Sequence, residues 1–226
     1  MWPSPTGDQQ VSATIAVNGR FDGKLKRYVG SGALGGGGQD EGQAAMFELA
    51  DGATLENVIV GAPAADGIHC RGTCTLRNVW WQDVGEDAAT LMGSSASQTM
   101  TIECAGAKGA SDKVFQHNGP GTMIVRNFDV QDFGKLYRSC GNCKTQFERH
   151  VELSAITAKG GKVLVGINTN YNDTARLKDI TVFDASKKLS ICERFRGNNS
   201  GDEPSKEGSG PDAKHCLYSD SDIQWR

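Results

Sequence analysis

The stretch Asp66-Gly67-Ile68 returns in altered form further along the chain, at steps of about 21 to 27 residues. The related triplets are Asp87-Ala88-Ala89, Asp112-Lys113-Val114, Gly134-Lys135-Leu136, Gly161-Lys162-Val163 and Lys187-Lys188-Leu189. A repeat of this length is typical of a solenoid, in which each repeat stacks on the one before it. Because stacking turns equivalent sequence positions into spatial columns, the first position predicts a column of carboxylates and the second a column of lysines.

A second, apolar pattern precedes the triplets once per repeat. It reads Leu55-Glu56-Asn57-Val58, Leu76-Arg77-Asn78-Val79, Val125-Arg126-Asn127-Phe128, Leu153-Ser154-Ala155-Ile156 and Leu177-Lys178-Asp179-Ile180, with Met100-Thr101-Ile102 in the missing place. These segments are short, rich in β-branched or aromatic residues, and bounded by Gly, Asp or Asn, which predicts strands. The short gaps leave room for bends but not for crossover helices. The patterns therefore predict an all-β parallel β-helix, with an antiparallel sandwich as the alternative.

The length of 226 residues predicts one domain over residues 1–226, with the repeats at about 46–196 and non-repeating ends at 1–45 and 197–226. Asn18-Gly19 and Asp22-Gly23 predict a hairpin or closely spaced turns between residues 14–17 and 25–28. The polar segment 197–214 predicts a loop or a partly ordered arm, pinned near Cys216. The two ends are expected to cover the ends of the solenoid.

Composition excludes several classes of function. The net charge of −3 argues against a general nucleic-acid binder. No apolar run approaches the length of a membrane span. We expect the protein to be a monomer. The start, Met1-Trp2-Pro3-Ser4-Pro5, lacks the features of a signal peptide, so either the chain is cytosolic or a signal has been removed. The 7 cysteines favour disulfides and a secreted, extracellular protein, and their odd number leaves at least one unpaired.

Two further groups of side chains have expected places in the coil. Asn57, Asn78 and Asn127 predict a partial ladder of amides at a bend. Trp80-Trp81 offers a sugar-stacking platform, but strand alternation points one ring inward, where it is ordinary packing.

The carboxylates of Asp66, Glu86, Asp87 and Asp112 are predicted at the head of consecutive rungs. With strands about 4.8 Å apart, three rungs hold them within roughly 10 Å. Clustered carboxylates repel each other and raise each other's pKa, and a hard cation such as Ca²⁺ relieves that repulsion. The alternative is an exposed acidic edge that pairs with the neighbouring lysines.

Lys113, Lys135, Lys162 and Lys188 form the predicted lysine column, and Arg138 follows shortly after Lys135. A stack of like charges destabilises a sheet unless anions are nearby. A solvated lysine face is the alternative, but the lysines begin where the carboxylates end. This arrangement suits an anionic polymer that is bridged through a cation.

Longer stretches around these residues resemble the pectate lyases of the third polysaccharide lyase family. The similar stretches are Asp66-Gly67-Ile68-His69-Cys70, residues 78–88, Asp112-Lys113-Val114-Phe115-Gln116 and residues 132–138, and the likeness runs from about Val17 to Arg196. The resemblance implies a right-handed parallel β-helix that depends on Ca²⁺ and cleaves polygalacturonate by β-elimination, giving 4,5-unsaturated oligogalacturonates.

Position by position, the resemblance implies roles for particular residues. Asp66, Glu86 and Asp87 correspond to calcium ligands, and Asp112 and Glu41 to further calcium contacts. The catalytic and substrate-binding bases correspond to Lys113, Lys135 and Arg138, whereas Lys162 and Lys188 match no functional position. Since lysine can lose its proton and arginine essentially cannot, Lys113 is the preferred general base over Arg138. Lys135 then holds the substrate or assists the base, and Arg138 suits a bidentate clamp on a uronate carboxylate.

Three other functions stay open from the residues alone. A pectin-degrading hydrolase requires paired carboxylates, which Asp66, Asp87 and Asp112 offer. A non-catalytic polysaccharide-binding β-helix would use the same tryptophans and lysines without forming product. The third is a zinc site built from Cys70, Cys74, Cys140 and Cys143, for which a lone Cys-x-x-Cys is weak evidence.

Overall fold

The regular secondary structure of the protein, described here by a computed structural model over residues 2–36 and 42–226, is almost entirely β-strand. The strands are β1 (Asp8–Val11), β2 (Ile15–Val17), β3 (Arg20–Gly30), β4 (Phe47–Leu49), β5 (Ala53–Gly61), β6 (Ile68–Cys70), β7 (Cys74–Trp81), β8 (Ala89–Leu91), β9 (Thr99–His117), β10 (Gly121–Ser139), β11 (Arg149–Asn168), β12 (Thr174–Phe183), β13 (Ser190–Arg196), β14 (Ser205–Ser209), β15 (Cys216–Leu217) and β16 (Ile223–Trp225). Helical structure in the described ranges amounts to short 3₁₀ turns. None of these helices is long and apolar enough to span a membrane.

Parallel ladders connect each strand to its equivalent in the next turn of the chain. One ladder runs β1-β3-β5-β7-β9-β10-β11-β12-β15, and a second joins β2, β4, β6 and β8 to the later part of β9. In the described part of the chain, only β13 and β14 pair antiparallel. The fold is therefore the predicted parallel β-helix, and the antiparallel sandwich is excluded.

The corners of the coil come from residues in the left-handed region of backbone space. One corner repeats in successive turns, with φ between 50° and 56°, at Asn57, Asn78, Cys104, Asn127, Ala155 and Asp179. Asn and Asp tolerate this conformation better than most residues do. The predicted amide ladder forms in part, since Asn78 Nδ2 donates to Asn57 Oδ1 at 2.8 Å and Asn57 Nδ2 donates to Asp22 Oδ1 at 2.9 Å. Cys104 separates this ladder from Asn127.

The interior is filled by aligned apolar columns. The register stacks Leu55, Leu76, Ile102, Val125, Leu153 and Leu177 in successive turns, each at most 2% exposed. Ile102 fills the predicted gap in this column. Burying a side chain of this size is worth about 1.5–3 kcal/mol, so a continuous column holds neighbouring turns together.

The parallel ladders extend further toward both ends than the sequence repeat indicates. β1 and β3 pair in parallel with each other, as do β2 and β4. Of the two expectations for residues 14–28, the hairpin is therefore wrong, whereas closely spaced turns are confirmed, at Gly19 and again at Lys24 and Leu25, all with positive φ. β2 and β3 lie on different faces of one turn of the coil, so β2 pairs with β4 and β3 pairs with β5.

The segment 197–214 is the predicted loop apart from β14, which pairs with β13, and the residues after it form a last turn. β15 and β16 pair in parallel with β12, and Cys216 forms a disulfide with Cys192, which confirms the predicted pin. Two further disulfides join Cys70 to Cys74 and Cys140 to Cys143. The alternative prediction of a zinc site is therefore wrong, since its four cysteines are oxidised in pairs. Cys104 is unpaired and exposed.

Trp80 and Trp81 point to opposite sides of β7, as alternation predicts. Trp81 is fully buried and packs edge-on against Phe115. The outward ring of Trp80 lies 4.9 Å from the ring of Trp2, and its Nε1 donates to Asn78 Oδ1 at 2.7 Å. Trp80 is thus partly covered by the chain's own N-terminal segment and does not present an open platform.

Candidate active site

The column through the repeated triplets differs by one residue from its predicted register. Ile68 pairs with Ala89, and Ala89 pairs with Phe115 rather than with Val114. Asp66 and Asp87 therefore share a column whose third member is Lys113, followed by Lys135. The predicted third carboxylate, Asp112, lies one residue outside that column. The structure thus places a lysine directly beside the carboxylate pair.

The predicted lysine column ends after its second member. Lys135 pairs with Val163, so Lys162 falls outside the column. Val163 in turn pairs with Ser190, which places Lys188 outside it as well. Both lysine side chains are exposed. The prediction of four stacked lysines is wrong for these two, because the number of residues per turn changes between rungs.

A β-bulge in β9 produces the local change at Lys113. Ala110 pairs with Phe133 and Lys113 pairs with Lys135, so β9 uses one more residue than β10 over this interval. An extra residue in one strand interrupts the alternation of side chains between the two faces. As a result, the consecutive side chains of Asp112 and Lys113 meet, with Lys113 Nζ 2.9 Å from Asp112 Oδ2.

Asp66, Glu86 and Asp87 form a buried acidic cluster whose oxygen atoms lie within 4.8 Å of one another. Asp66 precedes β6, and the other two residues precede β8. A sharp turn at Gly67, with φ +50°, brings Asp66 to the neighbouring rung. A Cβ at Gly67 would lie 2.3 Å from the carbonyl oxygens of Asp87 and Ala88, so only glycine permits this approach.

The electrostatics of the acidic cluster are unfavourable without a cation. Burial raises the pKa of Asp87 to about 9 despite the attraction of Lys113, and burial also raises the pKa of Glu86. Asp66 Oδ1 and Asp87 Oδ1 are buried without a hydrogen-bond partner in the described structure. The other oxygen of Asp66, Oδ2, lies 2.8 Å from His69 Nε2. An all-oxygen donor set in which two buried oxygens accept no hydrogen bond fits a hard divalent cation such as Ca²⁺.

The two lysines lie against the acidic cluster and are joined by Asp112. Lys113 Nζ lies 3.5 Å from Glu86 Oε1 and from Asp87 Oδ1. Asp112 contacts both lysines, since its Oδ1 accepts from Lys135 Nζ at 2.8 Å. Asp112 is therefore a partner of the lysines and does not join the acidic cluster.

These contacts shift the pKa of Lys113 and of Asp112 in opposite directions. Burial lowers the pKa of Lys113, but the carboxylates of Asp87, Asp112 and Glu86 outweigh burial and raise it above the ordinary value of a lysine. Burial raises the pKa of Asp112, but its bonds to Lys135 and Lys113 outweigh burial and lower the pKa overall.

Arg138 lies further along β10 and is only 7% exposed. Its Nη1 donates to Asn168 Oδ1 at 2.9 Å, and its guanidinium stacks 4.3 Å from the ring centre of Phe195. Burial lowers the pKa of Arg138 to about 10, so the group remains positively charged at neutral pH.

One cleft brings these groups together on the outside of the coil. A cavity of about 440 Å³ is lined by the acidic cluster, Lys113 and His69. A second cavity of about 160 Å³, lined by Lys135, Arg138 and Phe195, shares Lys113 with the first. The cleft therefore leads from an acidic centre to a cationic arm, which suits a chain-like anion held partly through a cation.

Most of the predicted site residues meet in this cleft. Asp66, Glu86, Asp87, Lys113, Lys135, Arg138 and Asp112 all line it. Glu41 lies outside the described residues. Sequence reasoning assigned no role to His69, Asn168 or Phe195. His69 follows Asp66 by three residues, and this short spacing is the only sequence signal for their contact. Asn168 and Phe195 belong to later turns and lie in no recognisable motif.

Known proteins share both the sequence and the fold of the chain. A family model described as pectate lyase matches residues 1–202. Pectate lyase E of Emericella nidulans is 49% identical over 221 residues, which cover 96% of this chain and 84% of that protein. Pectate lyase H of the same organism is 43% identical, with coverage of 96% and 83%.

Solved structures agree with these relatives. The catalytic domain of pectate lyase PelI from Erwinia chrysanthemi superposes with a TM-score of 0.80 at 32% identity, covering 97% of this chain and all of that one. PelI in complex with tetragalacturonic acid superposes with a TM-score of 0.79 at 30% identity, covering 96% of this chain and 70% of that one. The matches extend over nearly the whole coil that carries the cleft, and the chain belongs to the pectate lyase family, whose members are lyases.

Proposed function

We propose that this protein is a calcium-dependent pectate lyase that cleaves α-1,4-linked polygalacturonate by β-elimination and releases 4,5-unsaturated oligogalacturonates. The observation that carries the proposal is the contact of Lys113 with the buried cluster of Asp66, Glu86 and Asp87. The relative that was solved with tetragalacturonic acid supports the choice of substrate.

Asp66, Glu86 and Asp87 are the residues proposed to hold Ca²⁺. The bound ion would act as a Lewis acid on a uronate carboxylate and make the neighbouring C5 proton more acidic. The buried atoms Asp66 Oδ1 and Asp87 Oδ1, which accept no hydrogen bond in the described structure, favour this assignment over a purely structural acidic edge.

Lys113 is proposed as the general base that removes the C5 proton. The base must be neutral, and the acidic cluster opposes that by raising the pKa of Lys113. Neutralising the charges of Asp87 and Glu86 removes two of the interactions that raise this pKa and leaves burial, which lowers it. The same carboxylates that would bind the cation therefore control the protonation of the base, and we expect an alkaline optimum.

Lys135 and Arg138 are proposed to bind the uronate carboxylates along the cationic arm. The planar guanidinium of Arg138 offers paired donors to a carboxylate, whereas Lys135 acts as a point charge. Because Lys135 already pairs with Asp112, an incoming carboxylate competes with Asp112 for it.

A glycoside hydrolase fits the cleft less well. Hydrolases place two carboxylates on either side of the scissile bond, about 5 Å or more apart. Here Asp66, Glu86 and Asp87 are gathered at one place, with one oxygen of each within 4.8 Å of the others, and Asp112 is held by Lys113 and Lys135. We also propose that the protein works outside the cell, since its disulfides are suited to an oxidising compartment.

The experiment is to follow the absorbance of unsaturated uronate during incubation with polygalacturonate, with added Ca²⁺ or with a chelator. Lys113→Ala is expected to lose at least about 100-fold in kcat, as removal of a general base does. Lys162→Ala is the matched control, because this exposed lysine lies outside the column, and it should retain activity. Near-normal turnover of Lys113→Ala at saturating Ca²⁺ would remove Lys113 from the mechanism. Product that forms equally well with the chelator would contradict the calcium requirement.

A further inference from the structure

Arg138 is a buried cation without an anionic partner in the described structure. Its side chain is almost fully buried, yet no carboxylate lies within 4 Å of its guanidinium in residues 2–36 and 42–226. Glu203 lines the same arm of the cleft without forming such an ion pair. The side-chain hydrogen bond of Arg138 goes to a neutral acceptor, Asn168 Oδ1, at 2.9 Å. Buried arginines are normally paired, so this arrangement needs an explanation.

The orientation of Asn168 is fixed from three sides. Its side chain is fully buried, and its Nδ2 donates to the carbonyl oxygen of Cys140 at 2.9 Å. Its backbone N–H donates to Asp173 Oδ2 at 2.9 Å, and the other oxygen of Asp173 accepts from the backbone N–H of Arg149 at 3.0 Å. Because Nδ2 faces a carbonyl, Oδ1 is the atom that must face Arg138.

The surroundings of Arg138 leave it little freedom to move. A Cβ at Gly141 would lie 2.5 Å from Arg138 Nη2, and a Cβ at Gly166 would lie 2.9 Å from its Cδ. The ring of Phe195 covers one face of the guanidinium. The two glycines, the ring and Asn168 together form a cradle for the guanidinium at the side of the cleft.

We propose that Asn168 is a positioning residue that holds Arg138 through a neutral acceptor, so that the charge of Arg138 stays available to a substrate carboxylate. A carboxylate in the place of Asn168 would hold the guanidinium as firmly. It would also neutralise it, because an arginine–carboxylate pair is a strong charge-assisted contact. The neutral amide thus secures position without compensating charge. This inference rests on the proposed function, since it assumes a uronate as the anion.

The test replaces Asn168 by its isosteric acid, Asn168→Asp. We expect KM for polygalacturonate to rise roughly 10- to 100-fold, the range for losing a hydrogen bond to a charged group, with a much smaller change in kcat. The dissociation constant for tetragalacturonate, measured by calorimetry, should rise by a similar factor. A residue with a merely structural role would give a lower melting temperature without this separation of KM from kcat.

Asn170→Asp is the matched control. Asn170 is also bonded to backbone, with its Nδ2 2.9 Å from the carbonyl oxygen of Gly197 and its Oδ1 2.8 Å from the N–H of Gly197, and it does not contact Arg138. The control adds the same charge and loses the same kind of bond nearby. Equal KM values for the two aspartate variants, or a KM of Asn168→Asp within threefold of the unmodified protein, would overturn the proposal.

Two outcomes separate this inference from the proposed function. If the unmodified protein binds tetragalacturonate but releases no unsaturated product, the lyase proposal fails, and the calorimetric comparison still tests Asn168. If Asn168→Asp does not fold, Asn168→Ser takes its place: serine is neutral, but its hydroxyl is too short to reach Arg138, so the variant loses the acceptor without adding charge. Its KM should rise by more than threefold. A KM within threefold of the original would overturn the proposal, because the position of Arg138 would then not depend on Asn168.

Discussion

Replacing Asp87 by asparagine is expected to make the calcium-free protein more stable at neutral pH, although it removes a proposed calcium ligand. Asp87 is 2% exposed, and its pKa is raised from 3.8 to about 9. At a pH between these two pKa values, Asp87 has lost its proton in the unfolded chain and retains it in the folded chain. The stability of the folded state therefore falls as the pH rises from about 4 to about 9.

The size of this loss follows from the shift in pKa. At about 1.4 kcal/mol per pH unit, the interval from 3.8 to 7 costs the folded state about 4 kcal/mol. Asparagine ionises in neither state, so Asp87→Asn avoids this cost in an amide of nearly the same shape. For a chain of this length, 1 kcal/mol shifts the melting temperature by about 2–4 °C. The variant should therefore melt about 8–16 °C higher than the unmodified protein in a chelator at pH 7.

Calcium should narrow this difference. A ligand at 100 times its dissociation constant stabilises the folded state by about 2.7 kcal/mol, which offsets more than half of the about 4 kcal/mol, and the variant lacks one proposed ligand for it. Thermal melts of both proteins at pH 5, 7 and 8, with chelator and with Ca²⁺, give the comparison. Asp112→Asn is the control for loss of one negative charge; Asp112 is paired with two lysines, so no gain in stability is expected. The reasoning is refuted if Asp87→Asn melts no higher than the unmodified protein in chelator at pH 7.

Three other changes have distinct expected results. Gly67→Ala should destabilise the fold by about 3 kcal/mol in urea unfolding, through strain at positive φ together with overpacking against the next rung. Cys192→Ser should cost about 3 kcal/mol in the same measurement, because the lost disulfide closes a separation of 24 residues. Asp112→Asn removes a partner that raises the pKa of Lys113, so the alkaline rise of kcat/KM should move to lower pH.

Each of these changes has a counterpart that checks it. Gly201 also has positive φ, at +88°, but a Cβ there meets nothing within 4 Å, so Gly201→Ala should cost about 1 kcal/mol. Equal losses at the two glycines would contradict the proposed clash at Gly67. Cys104→Ser should leave stability unchanged, because Cys104 forms no disulfide. A pH profile of Asp112→Asn that stays in place or moves to higher pH would contradict Lys113 as the base.

The coil was predictable because its signals are periodic. The leucine column at 55, 76, 153 and 177 has the same meaning in every turn, and the structure aligns it as expected. The ends were less predictable. Residues 8–30 contain turn signals that also favour a hairpin, and only pairing with the following turn decides between the two.

The candidate site was predictable in its members but not in its register. The sequence places Asp66, Asp87 and Lys113 on successive turns, but it does not show which turn contains an extra residue. Asn168 was not predictable, since a single asparagine at the end of a strand has no pattern that connects it to Arg138. The contact between Asn168 and Arg138 depends on how deeply each side chain lies in the cleft, and the order of residues in the sequence does not show that depth.

The bulge in β9 has a consequence for how this protein tolerates changes in chain length. Removing one residue between Ala110 and Lys113 would restore unbroken pairing with β10 and leave Lys113 opposite Lys135, but regular alternation would turn the Asp112 side chain to the face opposite Lys113. The shortened chain would have a more regular sheet, and its two lysines would no longer share a carboxylate. At this position a single-residue deletion is therefore expected to change the protonation of the proposed base more than the fold.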